Sequence, residues 1–228
     1  MIKKFTIYGE RCSGTNYLES IIMNNFNVQI TWDYGWKHFF GFHDEKLKHS
    51  DDVLFICIIR DITDWMNSFF REKHHLPLKY KSKLNQQQKM HEFLNEEIFS
   101  FNDNNGNRDF SKELFHDRNI YTGERYKNIF ELRHTKIKWM VEDLPKKVKN
   151  YIFIRYEDLT NNFDQILHHI KDKGLEIKYP TKFPVNTKYY KKSNFHIYKK
   201  KNNMYFSKEQ ILNNKNIHLH YEKLYYNY

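Results

Sequence analysis

Residues 53–59, Val-Leu-Phe-Ile-Cys-Ile-Ile, form an unbroken apolar run that stops at Arg60. A run this short, without alternation and rich in β-branched residues, reads as a strand covered on both faces. Such strands sit in the middle of parallel sheets flanked by helices. The neighbouring segments agree. Residues 4–8 alternate as a strand, and 15–25 place Leu18, Ile21 and Ile22 on one helical face. A short strand is expected at 28–31 and a helix from about Thr63 to Arg71. A second good helix spans 127–143, with Phe130, Ile137, Met140, Val141 and Leu144 at helical spacing. A further strand runs over 151–156. Phe163, Ile166, Leu167 and Ile170 mark another helix, closed by Gly174.

Strands alternating with helices predict an α/β fold of three layers with a mostly parallel sheet. Its first strand, turn and helix form a P-loop-like unit, and a helical and loop insertion is added. At 228 residues the chain fits one domain, 1–228. Residues 72–126, polar and rich in His and Asn, are the expected insertion, forming a lid or acceptor region. Residues 176–228 are a basic, aromatic C-terminal segment. Ligands of such folds bind beyond the C-terminal ends of the strands. Three polar clusters stand there: the turn after the first strand, Arg60, and Arg-Tyr-Glu-Asp-Leu at 155–159.

The net charge of +10 suggests an anionic partner. The chain has no alanine and abounds in Lys, Asn, Ile, Tyr and Phe, so part of the lysine excess reflects composition bias. Charge alone is thus weak support for nucleic-acid binding. Of two cysteines, Cys57 lies inside the apolar run and reads as a buried thiol. Two unmatched thiols suit a reducing compartment. No apolar stretch approaches the roughly 20 residues of a membrane span, and the opening Met-Ile-Lys-Lys-Phe-Thr enters a strand directly. A soluble, cytoplasmic protein is expected. Adjacent histidine pairs at 74–75 and 168–169 lack spaced carboxylate or cysteine partners, so no metal site is expected.

The turn after the first strand reads Gly9-Glu-Arg-Cys-Ser-Gly-Thr-Asn16. Backbone N–H groups at a helix N-terminus make an anion cradle. Gly14 allows close approach, Ser13, Thr15 and Asn16 add side-chain donors, and Arg11 adds a charge. The nucleoside-triphosphatase pattern is not met, because Thr15 stands where its lysine would be. An ordinary helix cap at Ser13 is the competing reading. Arg60 ends the apolar strand and Ser68 follows eight positions later, so an arginine and a hydroxyl could converge on one phosphate.

With these residues in view, the chain resembles the sulfotransferases that use 3′-phosphoadenosine 5′-phosphosulfate. Their first signature, K/R-S-G-T-x-x-L, is similar to Arg11-Cys12-Ser13-Gly14-Thr15-Asn16-Tyr17-Leu18. Their second, a strand-end Arg with Ser eight positions on, matches Arg60 and Ser68, and a weaker third matches Tyr156-Glu157-Asp158-Leu159. The resemblance covers roughly 5–70 and 127–172. Cys12 is an insertion relative to the family pattern and sets Arg11 one place earlier; its own expected contribution is a backbone N–H. The resemblance implies donor binding by Arg11, Cys12, Ser13, Gly14, Thr15, Asn16, Arg60 and Ser68, with Tyr156 near the adenine. Tyr156 as a core residue is the competing view, and Arg155, Glu157 and Asp158 read as a structural charge network.

Sulfuryl transfer needs in-line positioning and charge stabilisation on the leaving side, without an obligatory metal. It also needs a base for the acceptor hydroxyl, and histidine suits neutral pH. The resemblance implies His38 as the base, because the family's catalytic histidine stands at a similar distance before the strand-end Arg, here 22 residues, with a lysine close before it; Lys37 would then stabilise the leaving phosphate or sulfuryl oxygens. A stacked loop histidine, or a base at Glu10, His74 or His75, are the alternatives. The family's R-K-G loop, which closes the 3′-phosphate, has no strict counterpart; Lys191, Lys192 and Lys199–Lys201 could substitute or form a solvated face. A sugar hydroxyl is favoured as acceptor, because no apolar pocket motif is present. Two other functions remain open on sequence alone: a kinase with a degenerate phosphate loop and Asp61 at its metal, and a non-enzymatic module binding RNA or another polyanion.

Overall fold

In the computed structural model the apolar run is a strand with all seven residues buried. The structure describes residues 2–102, 112–179, 183, 188–191, 194–197 and 204–228. In chain order the elements are β1 (Lys4–Gly9), α1 (Thr15–Asn25), β2 (Gln29–Ile30), α2 (Asp44–Leu47), β3 (Val53–Ile59), α3 (Ile62–Glu72), α4 (Gln86–Asn95), α5 (Ile129–Lys138), α6 (Leu144–Lys147), β4 (Asn150–Arg155), α7 (Tyr156–Asn161), α8 (Phe163–Asp172), β5 (Lys188–Lys191), β6 (Asn194–Ile197), α9 (Lys208–Leu212) and α10 (His220–Tyr226). The chain is α/β. It divides into two compact units, one of Met1–His38, His43–Arg60 and Met140–Asn202, the other of Phe39–Phe42, Asp61–Trp139 and Asn203–Tyr228.

The first unit is built on a parallel sheet of order β2-β1-β3-β4. Because strand side chains alternate, Phe5 and Ile7, Leu54, Ile56 and Ile58, and Ile152 and Ile154 share one face. They join Leu18, Ile21 and Ile22 of α1, Leu159 of α7, and Leu167 and Ile170 of α8 in one core cluster. On the opposite face Tyr8 and Tyr34 pack against Phe55, and Cys57 is wholly buried. Burial pushes the Cys57 thiol above its usual range. The register pairs Gly9 with Ile58 and Ile59 with Arg155, so three strands end level. β1 leads outward to β2, whereas β3 lies on its other side. The direction of winding therefore reverses between β1 and β3, the place where open α/β sheets hold ligands. β5 and β6 pair antiparallel.

The second unit packs helices around aromatic side chains. Phe69 and Phe70 of α3 meet Phe93 of α4, and Phe70 and Phe93 also meet Phe206. The Asn67 amide donates to the Phe206 carbonyl at 2.9 Å, and its oxygen accepts from the N–H groups of Tyr205 and Phe206. Arg133 of α5 and Glu222 of α10 form a buried two-pronged ion pair at 2.6 and 3.0 Å. Residues 204–228 are thus part of this unit's core, although their composition reads as a basic tail. Among the described residues the stretch 72–126 contributes α4, two short 3₁₀ turns and bridges from Ile98 to Tyr126 and from Phe101 to Glu113. Residues 103–111, within the expected insertion, lie outside the described residues.

Several expected boundaries shift, and two of the shifts have a local cause. Strand 151–156 ends at Arg155, and Tyr156 opens α7 instead. Helix 127–143 is capped by Asn128, which accepts from the N–H groups of Phe130 and Glu131 at 3.0 Å. It widens to π winding over Trp139–Asp143 before α6. Pro145 cannot donate to the carbonyl four residues back and would clash with it, and a wider turn relieves both problems. No helix among the described residues is long and apolar enough to cross a membrane.

Candidate functional site

The turn joining β1 to α1 is shaped by two left-handed residues, Cys12 at φ 67° and Gly14 at φ 100°. Ser13 between them donates from its backbone N–H and its hydroxyl to the Glu10 carbonyl, at 3.1 and 2.7 Å. The Ser13 hydroxyl therefore closes the turn rather than facing outward. The helix cap is Gly14, with no side-chain cap bond, which corrects the reading of Ser13 as an N-cap. The first turn of α1 holds no acidic residue, so nothing there opposes an anion at its amides. A side chain at Gly9 would meet Ser13 Oγ at 2.6 Å and the Ile58 carbonyl at 2.7 Å. Only glycine lets the turn fold back on the strand ends. Arg11 is almost wholly buried, at 2% exposure, as is Glu10.

The ends of β3 and β4 meet this turn. Arg60 Nη1 donates to the Cys12 carbonyl at 3.4 Å. Its guanidinium lies over the Tyr156 ring, 4.9 Å from the centroid. That ring covers Gly14 so closely that a Cβ there would come within 2.4 Å of it. Tyr17 packs edge-on against Tyr156 at 6.3 Å, and burial, then Tyr156, raise its phenol above the usual range. Arg155 is held by Asp158 through two bonds of 2.6 Å, the local network expected for this segment.

The loop after β2 is tied to the same place. Gly9 N–H donates to the Lys37 carbonyl at 3.0 Å, and His38 Nδ1–H donates back to the Gly9 carbonyl at 2.8 Å. A carbonyl only accepts, so Nδ1 carries the proton and Nε2 is the basic nitrogen of the neutral ring. His38 is 8% exposed and packs edge-on to Trp36 at 4.8 Å. Lys37 Nζ donates to Asn16 Oδ1 at 2.5 Å and to Glu19 Oε2 at 2.9 Å. It also lies over the rings of Trp32 and Trp36 at 5.6 and 5.9 Å. Arg60, Tyr156, Lys37 and His38 thus converge on the turn of Arg11, Cys12, Ser13, Gly14, Thr15 and Asn16.

No protein-family model matches this chain, and comparison with curated proteins gives no match. The site is therefore read from its own geometry.

Ser68, Asp61 and His75 belong to the second unit. Ser68 is buried on α3, and its hydroxyl accepts from Arg71 Nη2 at 3.0 Å. Asp61, the metal ligand of a kinase reading, is engaged in structure. Oδ1 caps α3 by accepting from Thr63 and Asp64 N–H at 2.9 and 3.2 Å, and Oδ2 accepts from the Tyr228 hydroxyl. The His75 ring Nδ1 pairs with the Phe101 carbonyl at 3.3 Å, and the His75 carbonyl accepts from the Phe101 N–H at 3.0 Å. Among the described residues no three His, Cys, Asp or Glu side chains stand close enough to hold a metal ion. Lys191 lies on β5, while Lys192 and Lys199–Lys201 lie outside the described residues. Sequence reasoning passed over Glu19, although its position three residues after Asn16 puts both on one helix face.

Proposed function

We propose that this chain is a sulfotransferase that moves a sulfuryl group from 3′-phosphoadenosine 5′-phosphosulfate to an acceptor hydroxyl. The observation that carries the reading is the meeting of Arg60, Tyr156 and the β1–α1 turn at the reversal point of the sheet. A guanidinium, an aromatic face and a P-loop-like row of helix-start amides lie within one nucleotide's reach. These are the groups a phosphorylated adenosine needs.

The amides of Gly14 and Thr15 receive the 5′-phosphosulfate end, and Arg60 pairs with a phosphate oxygen. Tyr156 offers its ring to the base. Cys12 contributes backbone, as its left-handed conformation turns the chain. Ser68 as a further phosphate ligand rests on its spacing from Arg60. His38 Nε2 takes the proton as the acceptor oxygen bonds to sulfur. The bond from sulfur to the phosphate oxygen breaks, leaving 3′-phosphoadenosine 5′-phosphate. Lys37 offsets the negative charge that grows on the leaving side. A sugar hydroxyl is the preferred acceptor.

Thermal melting with 3′-phosphoadenosine 5′-phosphate in the presence of a chelator tests the reading. The expected result is a concentration-dependent rise in Tm without Mg²⁺. Stabilisation by ATP with Mg²⁺ alone would overturn it.

A further inference from the structure

Glu19 lies outside the P-loop-like turn and outside every residue matched to the family pattern, yet it holds one of the two groups placed at the reaction. Resting on the reading above, we propose that Glu19 is a positioning residue that fixes the Lys37 ammonium against the first turn of α1. Lys37 is only 11% exposed along its side chain and Glu19 31%. The ammonium is bound at two points, Asn16 Oδ1 at 2.5 Å and Glu19 Oε2 at 2.9 Å. Asn16 and Glu19 are three residues apart and so present both oxygens from the same face of α1. Trp32 and Trp36 flank the ammonium, and the Lys37 carbonyl accepts from Gly9 at the end of β1. Backbone and head group are thus both fixed.

The placement explains why the carboxylate sits at the fifth residue of α1 rather than the first turn. Nearer the amides it would occupy the positive end of the helix and repel the anion bound there. One turn further along, it reaches the lysine without entering the cradle. A lysine side chain loses much rotamer freedom when its head group is fixed. Ordering it during folding removes that cost from the transition state, where fixed charge counts most. Glu19 itself touches neither reacting atom.

Glu19→Gln, Glu19→Asp, Lys37→Met and the double variant Glu19→Gln/Lys37→Met test the assignment. Sulfate release to water from 3′-phosphoadenosine 5′-phosphosulfate needs no acceptor and reports turnover. Titration with 3′-phosphoadenosine 5′-phosphate reports donor-site affinity. Glu19→Gln should slow release by about 10- to 100-fold, as expected for a misplaced catalytic group, with affinity nearly unchanged. Glu19→Asp should restore much of the rate, and Glu19→Gln should cost nothing further beside Lys37→Met. An unchanged or faster rate in Glu19→Gln, or full additivity in the double variant, would overturn the assignment. If the unaltered protein neither binds the bisphosphate nor releases sulfate, the functional reading fails instead. Acylation of Lys37 by acetic anhydride, followed by mass spectrometry, then decides the positioning. Faster labelling in Glu19→Gln supports a held ammonium, and equal labelling refutes it.

Discussion

Substituting Gly14 by alanine tests whether the Tyr156 ring closes over the turn as described. Two costs are expected. The residue sits at φ 100°, and an L-residue held in left-handed backbone costs roughly 1–2 kcal/mol. The new Cβ would also lie 2.4 and 2.8 Å from two ring carbons of Tyr156, well inside contact distance. Forcing the ring away is overpacking, worth about 1–3 kcal/mol. Gly14→Ala should therefore destabilise by about 2–5 kcal/mol. With Tyr156→Ala already present the ring is gone, and only the backbone cost of about 1–2 kcal/mol remains. Urea unfolding of the four proteins gives the coupling directly, expected at about 1–3 kcal/mol. Strict additivity would show that the ring does not pack on Gly14, and the convergence at the turn would fail with it.

Arg60→Ala should weaken 3′-phosphoadenosine 5′-phosphate binding by about 1.5–3 kcal/mol, tenfold or more by calorimetry; unchanged affinity would remove Arg60 from the site. His38→Ala should cut turnover by about 10²- to 10⁴-fold while leaving bisphosphate affinity nearly intact, and undiminished turnover would show that the base is elsewhere. Glu222→Ala strands the buried Arg133 guanidinium and should cost about 3–5 kcal/mol in chemical denaturation; a loss below about 1 kcal/mol would mean that water reaches the pair. Burial works to raise the Glu113 carboxyl, but hydrogen bonds from Arg125 and Arg118 outweigh it and hold the group below its ordinary 4.5. A depressed carboxylate contributes stability that is complete above its unfolded value and is lost as pH falls through the folded one. The stability gap between the protein and Glu113→Gln should thus shrink as pH falls below 4.5; a gap independent of pH would contradict the network.

The core of the sheet was legible because its signals are local. The apolar run gives β3 with its observed limits, and Leu18, Ile21 and Ile22 give α1 from Thr15 to Asn25. Helix 127–143 was legible in its apolar face but not in its winding, because the effect of Pro145 falls on the turn before it. Tyr156 was read as strand because aromatic residues favour strands, and only the register with β3 shows where pairing stops. At the candidate site, motif, spacing and the family resemblance pointed to the turn, Arg60 and His38, which the structure brings together. The inward-facing Ser13 hydroxyl was not, because residue type does not tell which way a hydroxyl points. Glu19 escaped notice because its partner lies 18 positions away. The role of 204–228 was hidden by its lysines and asparagines; the seating of Phe206 depends on helices far away in sequence.

The clamp between Asn67 and Phe206 joins residues 139 positions apart. During synthesis, α3 and α4 leave the ribosome long before the segment that covers Phe70 and Phe93. Until then those rings present a sticky surface to other nascent chains. Contacts so distant slow the search for the native state, and partly covered aromatic faces invite aggregation. Recombinant yield should accordingly depend on translation speed and holdase chaperones, and shortening the chain ahead of Phe206 should trap it in inclusion bodies.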